Sequence, residues 1–230
     1  MDAESLIPAR DAALFRPLLP SSVRLAEMAP AAADPTRLHR DEQAQIANAV
    51  EKRRREFAAG RLLAHAVLAE AGVAIERLLP DADRVPRWPA GVVGSITHCA
   101  SLCAAAVASE ADCFGLGLDV EPAAPIEDAL LPMILRDDER LRLQSLPPAL
   151  QPIGGRLVFS IKEAVYKAIY PRQRVFLDFP QVEVAFEGED AFLADVLLAG
   201  ATPPGFERVR GRYRIADGHI AAAVVLSRGR

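Results

Sequence analysis

A chain of 230 residues that is 51% apolar and 25% charged can bury a core, which excludes a disordered segment and leaves either one domain or two small ones open. The net charge of -4 excludes a general nucleic-acid binder, whose surface must be basic to displace counterions from phosphates. Phosphate recognition, if present, is therefore local. Cys99, Cys103 and Cys113 form neither an even disulfide set nor a CxxC pair, which points to free thiols in a reducing compartment. The N-terminus lacks the basic-then-apolar order of a signal peptide and no apolar run is long enough for a bilayer. A cytoplasmic location is the expectation.

Residues 1–36, rich in Ala and Pro, predict an extended lead-in with one strand near 22–26. Residues 41–70 are Ala-, Arg- and Glu-rich without proline and are followed by Gly72, which predicts a helix with a possible break near Asn48. A Pro- and Asp-rich connection at 80–89 precedes apolar runs at 91–97, 102–109 and 114–120, each of strand length. Pro122 should close the third of these, because it has no N–H to give to a ladder. Short helices separated by prolines are expected over 125–150, then a helix over 157–170 ended by Pro171. Strands at 181–186, 192–198, 208–215 and 220–226 complete the chain, with turns at Gly188 and Asp217-Gly218. Each half is a helix followed by strands, which predicts an α+β protein of two similar lobes, 1–112 and 113–230, joined near 110–113.

Asp119 and Glu121 are two apart on a predicted strand, so their carboxylates share a face. An isolated Asp-x-Glu is usually a solvated strand end. Here Gly115 and Gly117 keep the approach open, and the helix over 157–170 carries Glu163 and Lys167 four apart. A surface ion pair at that spacing is worth only about 0.3–0.5 kcal/mol, but the surrounding helix is so apolar that its charges should line a site. Three carboxylates without a Cys or His cluster suit magnesium better than zinc, and magnesium keeps places for phosphates. Arg53, Phe57, Arg61 and His65 run down one stripe of the earlier helix. His98, in Gly94-Ser95-Ile96-Thr97-His98-Cys99, has no visible triad partner and suits donation to a phosphate.

These residues fall in four blocks: 53–61; Trp88-Pro89 with 94–99; Gly117-Leu118-Asp119-Val120-Glu121-Pro122; and Phe159-Ser160-Ile161-Lys162-Glu163-Ala164-Val165-Tyr166-Lys167. In that order they resemble the two-lobed 4'-phosphopantetheinyl transferases that activate nonribosomal peptide and polyketide synthases, above all the branch serving enterobactin-like siderophore synthesis and its actinobacterial relatives. The resemblance covers roughly residues 41–226. It implies a pseudo-twofold pair of α+β lobes with coenzyme A in the cleft between them, the first lobe binding its phosphates and the second the metal. It implies magnesium on Asp119, Glu121 and Glu163, with Glu163 as the base for the carrier serine, directly or through water. Lys162, Lys167 and His98 would contact the pyrophosphate of coenzyme A, with Thr97 a further coenzyme A contact. Arg53 and Arg61 would reach the adenosine 3'-phosphate, with Arg87 a further contact and Arg84 its competitor. The implied partners are coenzyme A and acidic apo acyl or peptidyl carrier proteins. Phe176 and Phe179, which follow the Lys-Glu-Ala helix, are candidate carrier contacts, with a place in the core the equal alternative for both. Composition leads to no nucleic-acid and no membrane partner, and two internal lobes suit a monomer.

Two rivals share these residues. Another magnesium-dependent phosphate-transfer or hydrolytic enzyme could use the three carboxylates, and a degenerate homologue could bind coenzyme A or a carrier without transfer. Intact Asp119, Glu121, Glu163 and Lys167 oppose the second.

Overall fold

The structure, a computed structural model, describes residues 14–227; the expected lead-in over 1–13 and the ends of both expected lobes lie outside the described residues. Packing divides the chain into two compact units, one ending at Leu116 and the other spanning Gly117–Leu226. The division falls inside a strand rather than in a linker.

In the first unit, β1 (Arg24–Met28), α1 (Arg40–Ala44), α2 (Glu51–Glu70), β2 (Val92–His98) and β3 (Cys103–Ser109) follow in order. The sheet runs β1-β3-β2, antiparallel, with Ser95 opposite Ala106 and His98 opposite Cys103. Ala58, Ala59, Leu62, Leu63, Val67 and Leu68 bury one flank of α2, which packs on β1 and β3. The central strand is mostly alanine, which lets the helix lie close. At Gly60 a Cβ would come within 2.8 Å of the Ile96 side chain. The expected helix over 41–70 is thus two helices, broken at 45–50, on either side of Asn48.

Within residues 14–36 the strand expected near 22–26 is β1, and the segment before it packs inward. Leu14, Phe15, Leu18 and Leu19 are buried, and the Phe15 amide donates to Glu27 Oε1 of β1 at 2.8 Å. Trp88 shows why its block carries a glycine: a Cβ on Gly94 would stand 2.6 Å from the indole.

Strand β4 (Cys113–Pro122) carries the chain into the second unit, where α3 (Leu131–Ile134), α4 (Asp137–Leu143), α5 (Gly154–Gln173), β5 (Val182–Glu187), β6 (Ala191–Val196), β7 (Arg208–Ala216) and β8 (His219–Ser227) follow. The sheet order is β4-β8-β7-β6-β5. The β7–β8 hairpin turns on Asp217 and Gly218, both with positive φ, the geometry that matches the twist of the flanking strands.

Helix α5 is longer at both ends than the sequence predicts. Gly154 and Gly155 argue against helix by propensity, yet they begin it, because a Cβ at Gly155 would press on Leu131 and one at Gly154 on Leu143. Pro171 lies inside the helix. In the last turn it removes a single ladder bond, and the helix runs on to Gln173 before Arg174, at φ 55, closes it with its amide on Tyr170 O at 2.9 Å. Among the described residues no helix is long and apolar enough to cross a membrane.

Gly117 is where α5 meets β4. A Cβ there would fall onto the carbonyl oxygen of Ala164 and within 2.8 Å of the Ala168 amide, backbone atoms that cannot step aside. Gly117→Ala should cost about 1–3 kcal/mol, the usual range for overpacking, and lower the denaturant midpoint accordingly. A midpoint equal to that of the parent would show that α5 can lift off the strand without cost.

Candidate active site

Gly117, Asp119 and Glu121 alternate along one face of β4, and α5 crosses that face at Gly117. The close approach sets Glu163 and Lys167, one helical turn apart and flanking Ala164, beside the acidic pair. Lys167 Nζ donates to Asp119 Oδ1 at 2.6 Å, and Asp119 is buried. From the first turn of the same helix Arg156 Nη1 donates to Glu121 Oε2 at 2.7 Å.

Burial pushes the Glu121 carboxyl above the ordinary carboxylate range, against the hydrogen bond from Arg156 and with the help of the Asp119 charge. Burial also raises Glu163, Lys167 opposing, with Asp119 and Glu121 adding to the rise. The three carboxylates therefore feel one another. The set suits a hard divalent cation in its chemistry: every donor is a carboxylate oxygen, and a cation would offset both burial and mutual repulsion. Among the described residues, however, no three Asp, Glu, His or Cys side chains already surround a common point, and Lys167 and Arg156 each hold one carboxylate oxygen.

Lys162 requires a correction. The resemblance puts it on the pyrophosphate, but it is 2% exposed, and Nζ donates to Ile134 O at 2.8 Å, Glu139 Oε2 at 2.7 Å and Phe179 O at 3.0 Å. An ammonium has three protons, and all three are used. On an α-helix, Lys162 points about 100° away from Glu163, into the core rather than toward the acidic pair.

Phe176 and Phe179 part company. Phe176 is 65% exposed and meets the Tyr166 ring at 72°, centroids 5.9 Å apart, while Phe179 is half-buried against Phe159, ring centroids 5.4 Å apart.

In the first unit the stripe on α2 carries a second cluster. Arg61 is 7% exposed, its guanidinium lies 4.6 Å from the centre of the Phe57 ring, and its Nε finds no acceptor among the described residues. Burial pushes its pKa down to about 10, with Glu42 opposing and Arg53 adding. A buried arginine without a carboxylate in contact is costly unless an anion joins it. His65, next along the stripe, is 2.9 Å from the buried Glu42 carboxylate, which also takes the Leu78 amide, so it belongs to the scaffold.

Arg53 Nη1 stands 3.1 Å from His98 Nε2 at the end of β2. A guanidinium only donates, so that nitrogen accepts. Glu56 Oε2 lies 3.4 Å from the same nitrogen and 3.9 Å from Arg53. Thr97 is buried in β2 opposite Ala104, whereas Arg87 and Arg84 are both exposed on the connection before β2. Arg84 has φ 65.

Residues 41–108 match the description "4'-phosphopantetheinyl transferase N-terminal domain" and residues 115–223 match "4'-phosphopantetheinyl transferase superfamily". Full-length relatives agree. The chain is 38% identical over 191 residues to 4'-phosphopantetheinyl transferase Svp of Streptomyces mobaraensis, covering 81% of this chain and 78% of that protein. It is 36% identical over 222 residues to 4'-phosphopantetheinyl transferase Npt of Nocardia iowensis, covering 92% and 99%. The chain belongs to the 4'-phosphopantetheinyl transferase superfamily. An enterobactin synthase component D, from Salmonella typhi, is 39% identical over 132 residues, 56% of this chain and 53% of its own, so the phosphopantetheinyl transferase here is of the actinobacterial and enterobactin-like type. Arg53, Arg61, Thr97 and His98 fall within the N-terminal-domain match, and Asp119, Glu121, Glu163 and Lys167 within the superfamily match.

Proposed function

We propose that this enzyme transfers the 4'-phosphopantetheine group of coenzyme A to a serine of an apo acyl or peptidyl carrier protein, releasing adenosine 3',5'-bisphosphate. The serine oxygen bonds to the β-phosphorus, the bond from that phosphorus to the bridging oxygen breaks, and the serine proton passes to Glu163, directly or through water. What carries the reading is the gathering of Asp119, Glu121, Glu163 and Lys167 on one face of β4 and α5, in a chain matched to this family over both units. Asp119, Glu121 and Glu163 would hold magnesium, which when bound neutralises charge on the pyrophosphate. Lys167, bonded to Asp119, would offset the charge that develops on the leaving group.

The first unit is assigned the nucleotide end of coenzyme A. Arg61 and Arg53 take the 3'-phosphate and His98 a phosphate of the bridge, with Thr97 and Arg87 as further contacts. The buried, cation–π-backed guanidinium of Arg61 supports this, because its Nε lacks an acceptor that an anion would supply. The carrier is expected to be acidic and to meet the exposed Phe176, and the enzyme to work as a monomer in the cytoplasm.

The test is to incubate the purified protein with coenzyme A, magnesium and a panel of apo-carriers and weigh the carriers. Addition of one phosphopantetheine is expected; release of inorganic phosphate without carrier modification would overturn the reading. Arg61→Ala should raise the KM for coenzyme A about 10–100-fold, the loss of a charged hydrogen bond worth about 1.5–3 kcal/mol, and leave that for dephospho-coenzyme A nearly unchanged. Equal losses with the two substrates would remove Arg61 from the 3'-phosphate.

A further inference from the structure

Arg156 lies outside every motif named above, yet it makes the most directional contact in the acidic cluster. Its Nη1 donates to Glu121 Oε2 at 2.7 Å, Nε to Ala124 O at 2.8 Å and Nη2 to Pro125 O at 2.9 Å. An ion pair alone needs no backbone carbonyl. Two further bonds in the plane of a rigid fork take away the freedom of the guanidinium to rotate, and with it the freedom of the carboxylate it holds. The segment that supplies those carbonyls is tied from its other side, where the Ala123 amide donates to Gly218 O at 2.8 Å. The arrangement therefore fixes Glu121 against both α5 and the β7–β8 turn. Arg156 stands seven residues before Glu163 and eleven before Lys167, so all three lie on one stripe of α5.

We propose that Arg156 is a positioning residue: by holding Oε2 of Glu121 together with the 124–125 backbone, it sets the Glu121 carboxylate for the divalent cation. The inference rests on the metal assignment made under the proposed function. Lysine cannot substitute for it, because an ammonium on a flexible stem cannot hold three acceptors in one plane.

The test uses the full-length protein with Mn2+ as the probe, following free Mn2+ by electron paramagnetic resonance, alongside carrier modification at varied Mg2+. Arg156→Gln should weaken Mn2+ binding about 10–100-fold, the usual effect of removing a residue that orients a metal ligand, and raise the half-saturating Mg2+ by a similar factor. At saturating Mg2+ the KM for coenzyme A should stay within about twofold of the parent and the rate should recover, which a fold defect would not allow. In a Glu121→Gln background the same change should add almost nothing, because the carboxylate that Arg156 positions is already lost, although the amide oxygen can still accept its hydrogen bond. Unchanged Mn2+ binding in folded Arg156→Gln, or an equal loss in both backgrounds, would overturn the proposal. Should Arg156→Gln not fold, Arg156→Lys decides: weakened Mn2+ binding supports the proposal and parental binding overturns it. A parent that binds Mn2+ no better than Glu163→Gln would instead overturn the metal assignment itself, and the inference with it.

Discussion

Asp119→Asn and Glu163→Gln are each expected to lower phosphopantetheine transfer about 10²–10³-fold or more while leaving the circular dichroism spectrum and unfolding midpoint near the parental values. The size follows from the proposed role. Placed electrostatic groups at a reacting centre are commonly worth about 3–4 kcal/mol, and each 1.36 kcal/mol is tenfold in rate. The intact fold follows from burial: Glu163 already carries a desolvation penalty and the repulsion of Asp119 and Glu121, so a neutral amide of the same shape relieves strain. Asp119→Asn loses the charge that pairs with Lys167 and leaves that lysine half-exposed, able to turn to water. An active Glu163→Gln enzyme would end both the base and the metal assignment to that residue. A variant inactive only because it unfolds, seen as a lost cooperative transition, would mean that the acidic cluster holds the unit together.

Much of this arrangement was legible in the sequence because it rests on local periodicity. Alternation along β4 put Asp119 and Glu121 on one face, and helical spacing put Glu163 and Lys167 together; α5 then crosses that face at Gly117, where a side chain would block it. The hairpin turn at Asp217-Gly218 was equally local. What escaped depended on tertiary context. Propensity stops the helix before Gly154 and Gly155, yet packing against Leu131 and Leu143 needs glycine there, and the shortened helix left Arg156 outside it. A seven-residue spacing from Arg156 to Glu163 was the only available signal. Glu139 gave none, since the acid that meets Lys162 lies 23 residues away on a separate short helix. Nor did composition reveal that residues 14–19 pack into the core, because that depends on buried Glu27 accepting the Phe15 amide.

Lys162→Met is expected to destabilise the second unit by about 3–5 kcal/mol, the cost of leaving one member of a buried ion pair without the other. Lys162 and Glu139 are 2% and 1% exposed, and their bond is one strand of a wider tie. Lys162 Nζ also holds Ile134 O at the end of α3 and Phe179 O beyond α5, while Glu139 takes the Val184 amide of β5 at 2.7 Å and the Arg136 amide at 2.9 Å. Methionine matches the stem of the lysine, so the loss measures the ammonium rather than a cavity. Pairing it with Glu139→Leu should recover only part of the stability, because the Val184 and Arg136 amides would then be left buried without their acceptor. Urea denaturation followed by circular dichroism gives the number, and a kinetic readout separates it from chemistry: the fraction of Lys162→Met that remains folded should keep a parental KM for coenzyme A. A stable variant with a raised KM would return Lys162 to the pyrophosphate and make its buried position a property of the free enzyme alone.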